Sequence, residues 1–192
     1  MNTTQLIAIT GGIGAGKSVV SEILRKLGYP VFDCDSEAKR LMDTSVDIKA
    51  ELREKISKQA VLEDGTIDRP LISSIVFNDP AKLGALNSIV HSAVISEIGK
   101  WRQAHSDKDK LFVETAILYQ SRLDQIVDCV WEVIAPEELR IIRVIKRNNC
   151  NQEEVIARIK SQNYIPENPH SNIKTIINDD FTPLLPQIQT QL

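Results

Sequence analysis

Short unbroken apolar runs alternate along this chain with segments whose apolar residues recur every three or four positions. Leu6–Thr10 is a run of the first kind and ends in glycines, which predicts a buried strand. In Ser18–Leu27, Val19, Val20, Ile23, Leu24 and Leu27 share a helical face, and Gly28 is a natural stop. Tyr29–Phe32 predicts a second strand that runs out at Asp33-Cys34-Asp35, with a helix from near Ser36. The stretch from about Val46 to Arg102 is mostly helical in pattern, broken at Asp64-Gly65 and Asp79-Pro80. Leu111–Val113 and Val130–Ala135 predict a third and fourth strand, closed by Glu114 and Pro136. Glu137–Arg147 and Glu153–Gln162 predict helices, Tyr164–Ser171 a loop with Asn163–Asn172 as a mobile edge, and Lys174–Asn178 a last strand before Asp179-Asp180 and a short amphipathic tail.

Strands separated by helices favour an α/β fold with a parallel sheet. Ligands of such sheets bind beyond the carboxyl ends of the strands. Thr10-Gly11, Asp33, Glu114 and Ala135 all fall at such ends, which places candidate chemistry on one rim.

The first strand and the first helix are joined by Gly11-Gly12-Ile13-Gly14-Ala15-Gly16-Lys17-Ser18, which fits G-x-x-x-x-G-K-[ST] at every fixed position. Glycines let successive backbone N–H groups converge on phosphate oxygens, and the following helix aims its positive end at the same anion. Lys17 is placed for the β- and γ-phosphates and Ser18 for Mg²⁺ bridging them, with Val19 on the same first turn. This reading makes a nucleotide's phosphates the bound anion and Mg²⁺ their counter-ion.

Bulk properties narrow the class. With 192 residues, 42% hydrophobic, 26% charged and a net charge of −3, the chain is a soluble globular type, not a general nucleic-acid binder. It has no apolar run of membrane-spanning length, and no leader is predicted from its N-terminus. The three cysteines, Cys34, Cys129 and Cys150, form no CxxC pair; free thiols in a reducing compartment, by default the cytoplasm, are expected. No N-K-x-D base-reading motif of a GTP switch is present, and Leu111-Phe112-Val113-Glu114 is an imperfect match to an ATPase acidic strand. A small-molecule kinase fits size and alternation better. Asp33, on the second strand end, is then a candidate to orient an acceptor hydroxyl and take its proton. A helix cap or turn is the plainer role, and it suits Asp35 well. Arg140, Arg143 and Arg147 recur at i, i+3 and i+7 on one helical face, either a solvated basic face or a clamp on transferring phosphate.

These residues, taken with others, resemble the dephospho-CoA kinase family over nearly the whole chain. The resemblance is carried by Thr10–Ser18, Asp33-Cys34-Asp35, Asp64-Gly65-Thr66-Ile67-Asp68-Arg69 with Val76-Phe77, Leu86-Asn87-Ser88-Ile89-Val90-His91, Arg143-Val144-Ile145-Lys146-Arg147, Gln162 and Ile177-Asn178. It implies transfer of the ATP γ-phosphoryl group to the ribose 3′-hydroxyl of dephospho-CoA. Asp33 then matches the general base, and Lys17, Ser18 and the loop Gly11–Ser18 match the phosphate and Mg²⁺ groups. Arg143 and Arg147 match lid arginines, Asn178 a residue near the adenine, and Asp35, Arg69 and His91 acceptor contacts. The implied fold is a three-layer phosphate-loop kinase with a parallel five-stranded sheet. Its parts would be a core (about 1–42, 103–136 and 172–192), a helical acceptor-binding subdomain (about 43–102) and a helical lid (about 137–171). Ser92, Gln120, Glu114 and Ile56-Ser57 depart from the family's usual residues. The alternatives are another small-molecule or nucleoside monophosphate kinase, or a non-catalytic nucleotide-binding protein. Neither nucleic acid nor membrane is an expected partner; the oligomeric state is open, and a monomer would suffice.

Overall fold

The computed structural model describes residues 4–162 and 166–192, so Asn163, Tyr164 and Ile165 of the expected loop lie outside the described residues. The chain divides into two compact units, Met1–Asp33 with His105–Leu192, and Cys34–Ala104.

The first unit is built on strands β1 (Gln5–Thr10), β2 (Val31–Asp33), β3 (Lys110–Glu114), β4 (Cys129–Ile134) and β5 (Ile173–Ile177), all paired in parallel in the order β2-β3-β1-β4-β5. Its helices are α1 (Lys17–Lys26), α6 (Glu137–Asn148), α7 (Gln152–Gln162) and α8 (Leu184–Gln191). The core joins Ile7, Ile9, Phe112, Trp131, Val133 and Ile176 of the sheet to Val20 and Leu24 of α1 and Ile188 of α8. Both faces of β1 and β3 are buried, which is why these strands carry no alternation of polar residues. A smaller cluster of Val144, Val155 and Ile159 joins α6 to α7, and Ile13 of the glycine-rich loop packs into it.

The five strands fall where the apolar runs place them, with small shifts at the ends. β2 begins at Val31 rather than Tyr29 and takes in Asp33. Pro30 still accepts from Phe112 N (3.0 Å) but has no N–H to return to the ladder. The next helix, α2 (Cys34–Thr44), follows β2 without an intervening loop. Asp35 therefore lies inside its first turn, where a carboxylate complements the helix dipole, and not at the expected cap ahead of Ser36.

The second unit holds α2 with α3 (Val46–Lys55), α4 (Arg69–Asn78) and α5 (Pro80–Ala104). Both sequence breaks are real. The Asp64-Gly65 turn is closed by Thr66, whose N and Oγ1 donate to Asp64 Oδ1 at 2.8 and 2.6 Å, holding that carboxyl below its usual range. Asp79 Oδ1 accepts from Ala81 N and Lys82 N at the start of α5, with Pro80 as the first helical residue. Ile48, Leu52, Ile56, Ile72 and Ile89 form this unit's own core, and α2 packs on α5. This second unit comprises Cys34–Ala104.

Among the described residues no helix is long and apolar enough to cross a membrane. The three cysteines form no disulfide; Cys34 and Cys129 are buried, and burial pushes the Cys129 thiol up.

Candidate active site

The chemistry gathers where the first unit's strands end. β1 stops at Thr10, the chain turns through Gly11–Gly16, and α1 starts at Lys17. Lys17 folds back along this loop: its Nζ donates to Gly11 O at 2.8 Å and to Gly12 O at 3.5 Å. These two contacts hold the ammonium against the loop. Ser18 and Val19 are exposed on the first turn of α1, and Ala15 is buried beneath the loop.

The outer side of the loop is held by side chains from α6 and from the segment after β5. Arg140 Nε donates to Ile13 O at 2.9 Å. Its guanidinium lies so close that a Cβ on Gly12 would stand 2.3 Å from Nη2. Arg143 Nη1 donates to Gly14 O at 3.4 Å, and its Nη2 donates to Asn178 Oδ1 at 3.3 Å and Asp180 Oδ1 at 2.5 Å. Asn178 is buried, and its Nδ2 donates to Ala15 O at 2.8 Å. Carbonyls of three consecutive loop residues, Ile13, Gly14 and Ala15, are thus tied outward.

Asp33 closes β2 in register with Glu114 of β3, which is in register with Ile9 of β1. Asp33 therefore stands two strand spacings from β1, roughly 10 Å, on the same rim as the loop. Asp33 and Glu114 are half-buried neighbours on that rim.

The structure sorts the arginine face. Arg140 and Arg143 reach the loop, whereas Arg147 is exposed and donates to Asn148 Oδ1 at 3.1 Å. Seven residues along a helix is about 10 Å of rise, so a shared face does not mean a shared neighbourhood. Asp180 is the residue that sequence reasoning passed over, and Arg140, named there only as one of three candidate clamps, was left out of the pair that the resemblance put at the phosphates. Arg140 had a signal in its closeness to Pro136, at the rim end of β4.

In the second unit, Asp68 Oδ1 accepts from Leu71 N at 2.9 Å and caps α4. Arg69 pairs with Asp43 at 2.6 Å, both well exposed. His91 is half-buried on α5, and desolvation holds its imidazole below the ordinary value of 6.5. The native state therefore resists protonating it. That contribution to stability is intact above about pH 6.5 and is lost as pH falls below it. His91→Gln is expected to flatten the fall of the urea midpoint between about pH 7 and pH 5; parallel profiles for variant and parent would refute the assignment.

A parallel sheet in this strand order, a glycine-rich loop leading into a helix and a carboxylate on the neighbouring rim define a protein of the phosphate-loop kinase class. A family model described as dephospho-CoA kinase matches residues 5–182. A dephospho-CoA kinase from Bacteroides fragilis is 36% identical over 182 residues, 95% of this chain and 88% of the relative. A Thermus thermophilus crystal structure matches with a TM-score of 0.77 at 31% identity, over 97% of this chain and 93% of that one. The dephospho-CoA kinase structure from Campylobacter jejuni shares the fold, with a TM-score of 0.64 at 24% identity over 96% and 92%. The chain belongs to the dephospho-CoA kinase family.

Proposed function

We propose that this chain transfers the γ-phosphoryl group of ATP to the ribose 3′-hydroxyl of dephospho-CoA, giving coenzyme A and ADP, the last step of coenzyme A biosynthesis. The observation that carries the reading is a formed phosphate loop and Asp33 on one rim, in a chain of this family.

In this mechanism the loop N–H groups and Lys17 hold the triphosphate, and Arg143 and Arg147 add positive charge to it as lid arginines. Asp33 accepts the proton of the attacking hydroxyl. Asp35, Arg69 and His91 contribute to the acceptor site, with about 43–102 as the acceptor-binding subdomain and about 137–171 as the lid. Asn178 serves the nucleotide side; its amide already bonds Ala15 O and Arg143, which supports a role in holding the loop beside the adenine. Little covalent chemistry is asked of the protein, and positioning with electrostatics carries the rate.

The donor set also suits Mg²⁺. Ser18 offers one exposed hydroxyl beside Lys17, and among the described residues no group of three His, Cys, Asp or Glu could hold a metal without phosphate oxygens. When bound, Mg²⁺ would neutralise charge developing between the β- and γ-phosphates. Cysteines outside any disulfide fit a reducing compartment, and we assign the reaction to the cytoplasm. One chain carries every group that the mechanism names, so a monomer suffices.

The test is an acceptor panel with ATP and dephospho-CoA, AMP, CMP or shikimate, read by product mass. One added phosphoryl group on dephospho-CoA alone is the expected result. Phosphorylation of AMP and not dephospho-CoA would overturn it.

A further inference from the structure

Asp180 is a non-glycine residue with φ +68, in the left-handed region, and its carboxylate pairs with Arg143 at 2.5 Å. The Asp180 side chain is 59% exposed and Arg143 only 24%, so solvent screens the carboxylate end and the pair adds little to global stability. Its local consequence is larger. Arg143 Nη2 donates to both Asp180 and Asn178, and Nη1 to Gly14 O, so three of the five guanidinium N–H groups are committed to the protein. Asn178 passes the restraint on, since its Oδ1 accepts from Arg143 while its Nδ2 donates to Ala15 O. A single relay thus runs from Asp180 through Arg143 and Asn178 to the carbonyls of Gly14 and Ala15. Asp180 sits at its outer end and fixes the rotamer of a long, otherwise mobile side chain.

We propose that Asp180 is a positioning residue for nucleotide binding: its ion pair holds Arg143 across the back of the Gly14–Gly16 bend, so the phosphate loop is formed before the nucleotide arrives. The ordering cost of the loop is then met in the free protein and not at binding. Two N–H groups of Arg143 remain for a ligand, so the ion pair need not break when phosphate binds. The inference rests on the loop being a nucleotide site and is independent of the acceptor's identity.

The test compares ADP and ATP titrations of the parent with Asp180→Asn, Arg143→Ala and the double variant. Asn keeps the size and tolerates the left-handed backbone while removing the charge. Asp180→Asn is expected to weaken ADP binding about fivefold and to raise KM for ATP, leaving kcat and the acceptor KM unchanged. In the Arg143→Ala background it should add nothing. Amide exchange at Gly14–Lys17 should quicken while the thermal midpoint holds. Unchanged ADP affinity would overturn the proposal, as would a lowered midpoint without an affinity change. Tighter binding would overturn it too and make Asp180 a competitor of phosphate. A further loss in the Arg143→Ala background would show that Asp180 does not act through Arg143. A parent that binds no ADP would instead bring down the nucleotide reading itself.

Discussion

Replacing Asp33 by Asn is expected to lower kcat on the order of 10³-fold and to leave ATP affinity within about twofold. The substitution is nearly isosteric, so β2 and its pairing with β3 should survive. On the proposed mechanism, what is lost is a proton acceptor. Asp33 lies two strands from β1, roughly 10 Å away, leaving room for a γ-phosphate and an incoming oxygen between it and the loop. The loop carbonyls are tied by Lys17, Arg140, Arg143 and Asn178, and all four ties remain in the variant, so ATP affinity is expected to stay close to the parent's. Steady-state kinetics with a separate ADP titration tests both halves. Glu114 is the natural control, since it stands on the strand between Asp33 and β1. If Glu114→Gln lost the larger share of turnover and Asp33→Asn kept most of it, the base would be Glu114.

The sheet was legible because its strands are covered on both faces. Leu6–Ile9 and Leu111–Val113 had to be unbroken apolar runs, and runs of that kind bounded by glycine or charge are visible without a structure. β2 was the least sharp because it is three residues long and preceded by Pro30. The phosphate loop was legible for a different reason: its function is local, so its residue types fall at fixed spacing within eight positions, Gly11 to Ser18. The support of the loop was not. Asn178 reaches Ala15 from 163 positions away, and no periodicity encodes that contact. Asp179-Asp180 stood in the sequence only as the point where the last strand gives way to the tail; in the structure Asp179 Oδ1 accepts from Phe181 N and Thr182 N. That Asp180 then meets Arg143 depends on where β5 and α6 end in space.

The arginines show the same division. Helical spacing gave the shared face but not the distance of each residue from the rim, and the assignment of Arg147 over Arg140 to the phosphates came from resemblance. Asp68 and Arg69 are a similar case. The motif was visible, but capping of α4 by Asp68 and the Arg69–Asp43 pair account for part of it in purely local terms. In the proposed acceptor subdomain chemistry and local structure are hardest to separate from sequence, because apolar packing of α5 sets the burial of His91 and nothing in its neighbours announces a ligand.

Gly16→Ala should weaken ADP binding by about two orders of magnitude with the fold retained, and two separate costs make up that loss. Gly16 has φ +96, a conformation that costs an L-residue roughly 1–2 kcal/mol, or about tenfold. A Cβ there would also stand 1.9 Å from Asn178 Nδ2, the atom that holds Ala15 O. Either Asn178 leaves Ala15, or the Gly16 peptide turns and takes the first N–H groups of α1 out of line with the phosphate. Both routes damage the anion site, and neither touches the core around Phe112 and Trp131. Circular dichroism and the thermal midpoint should therefore stay near the parent's while calorimetry shows the loss. The double variant Gly16→Ala with Asn178→Ala separates the two costs, because it removes the clash but leaves the backbone strain and frees Ala15 O. It should bind ADP more tightly than Gly16→Ala alone, yet remain weaker than the parent. Parent-like affinity in the single variant would mean that the loop does not need Gly16 in its left-handed conformation, and that the outward tie of the Ala15 carbonyl is not what shapes the site.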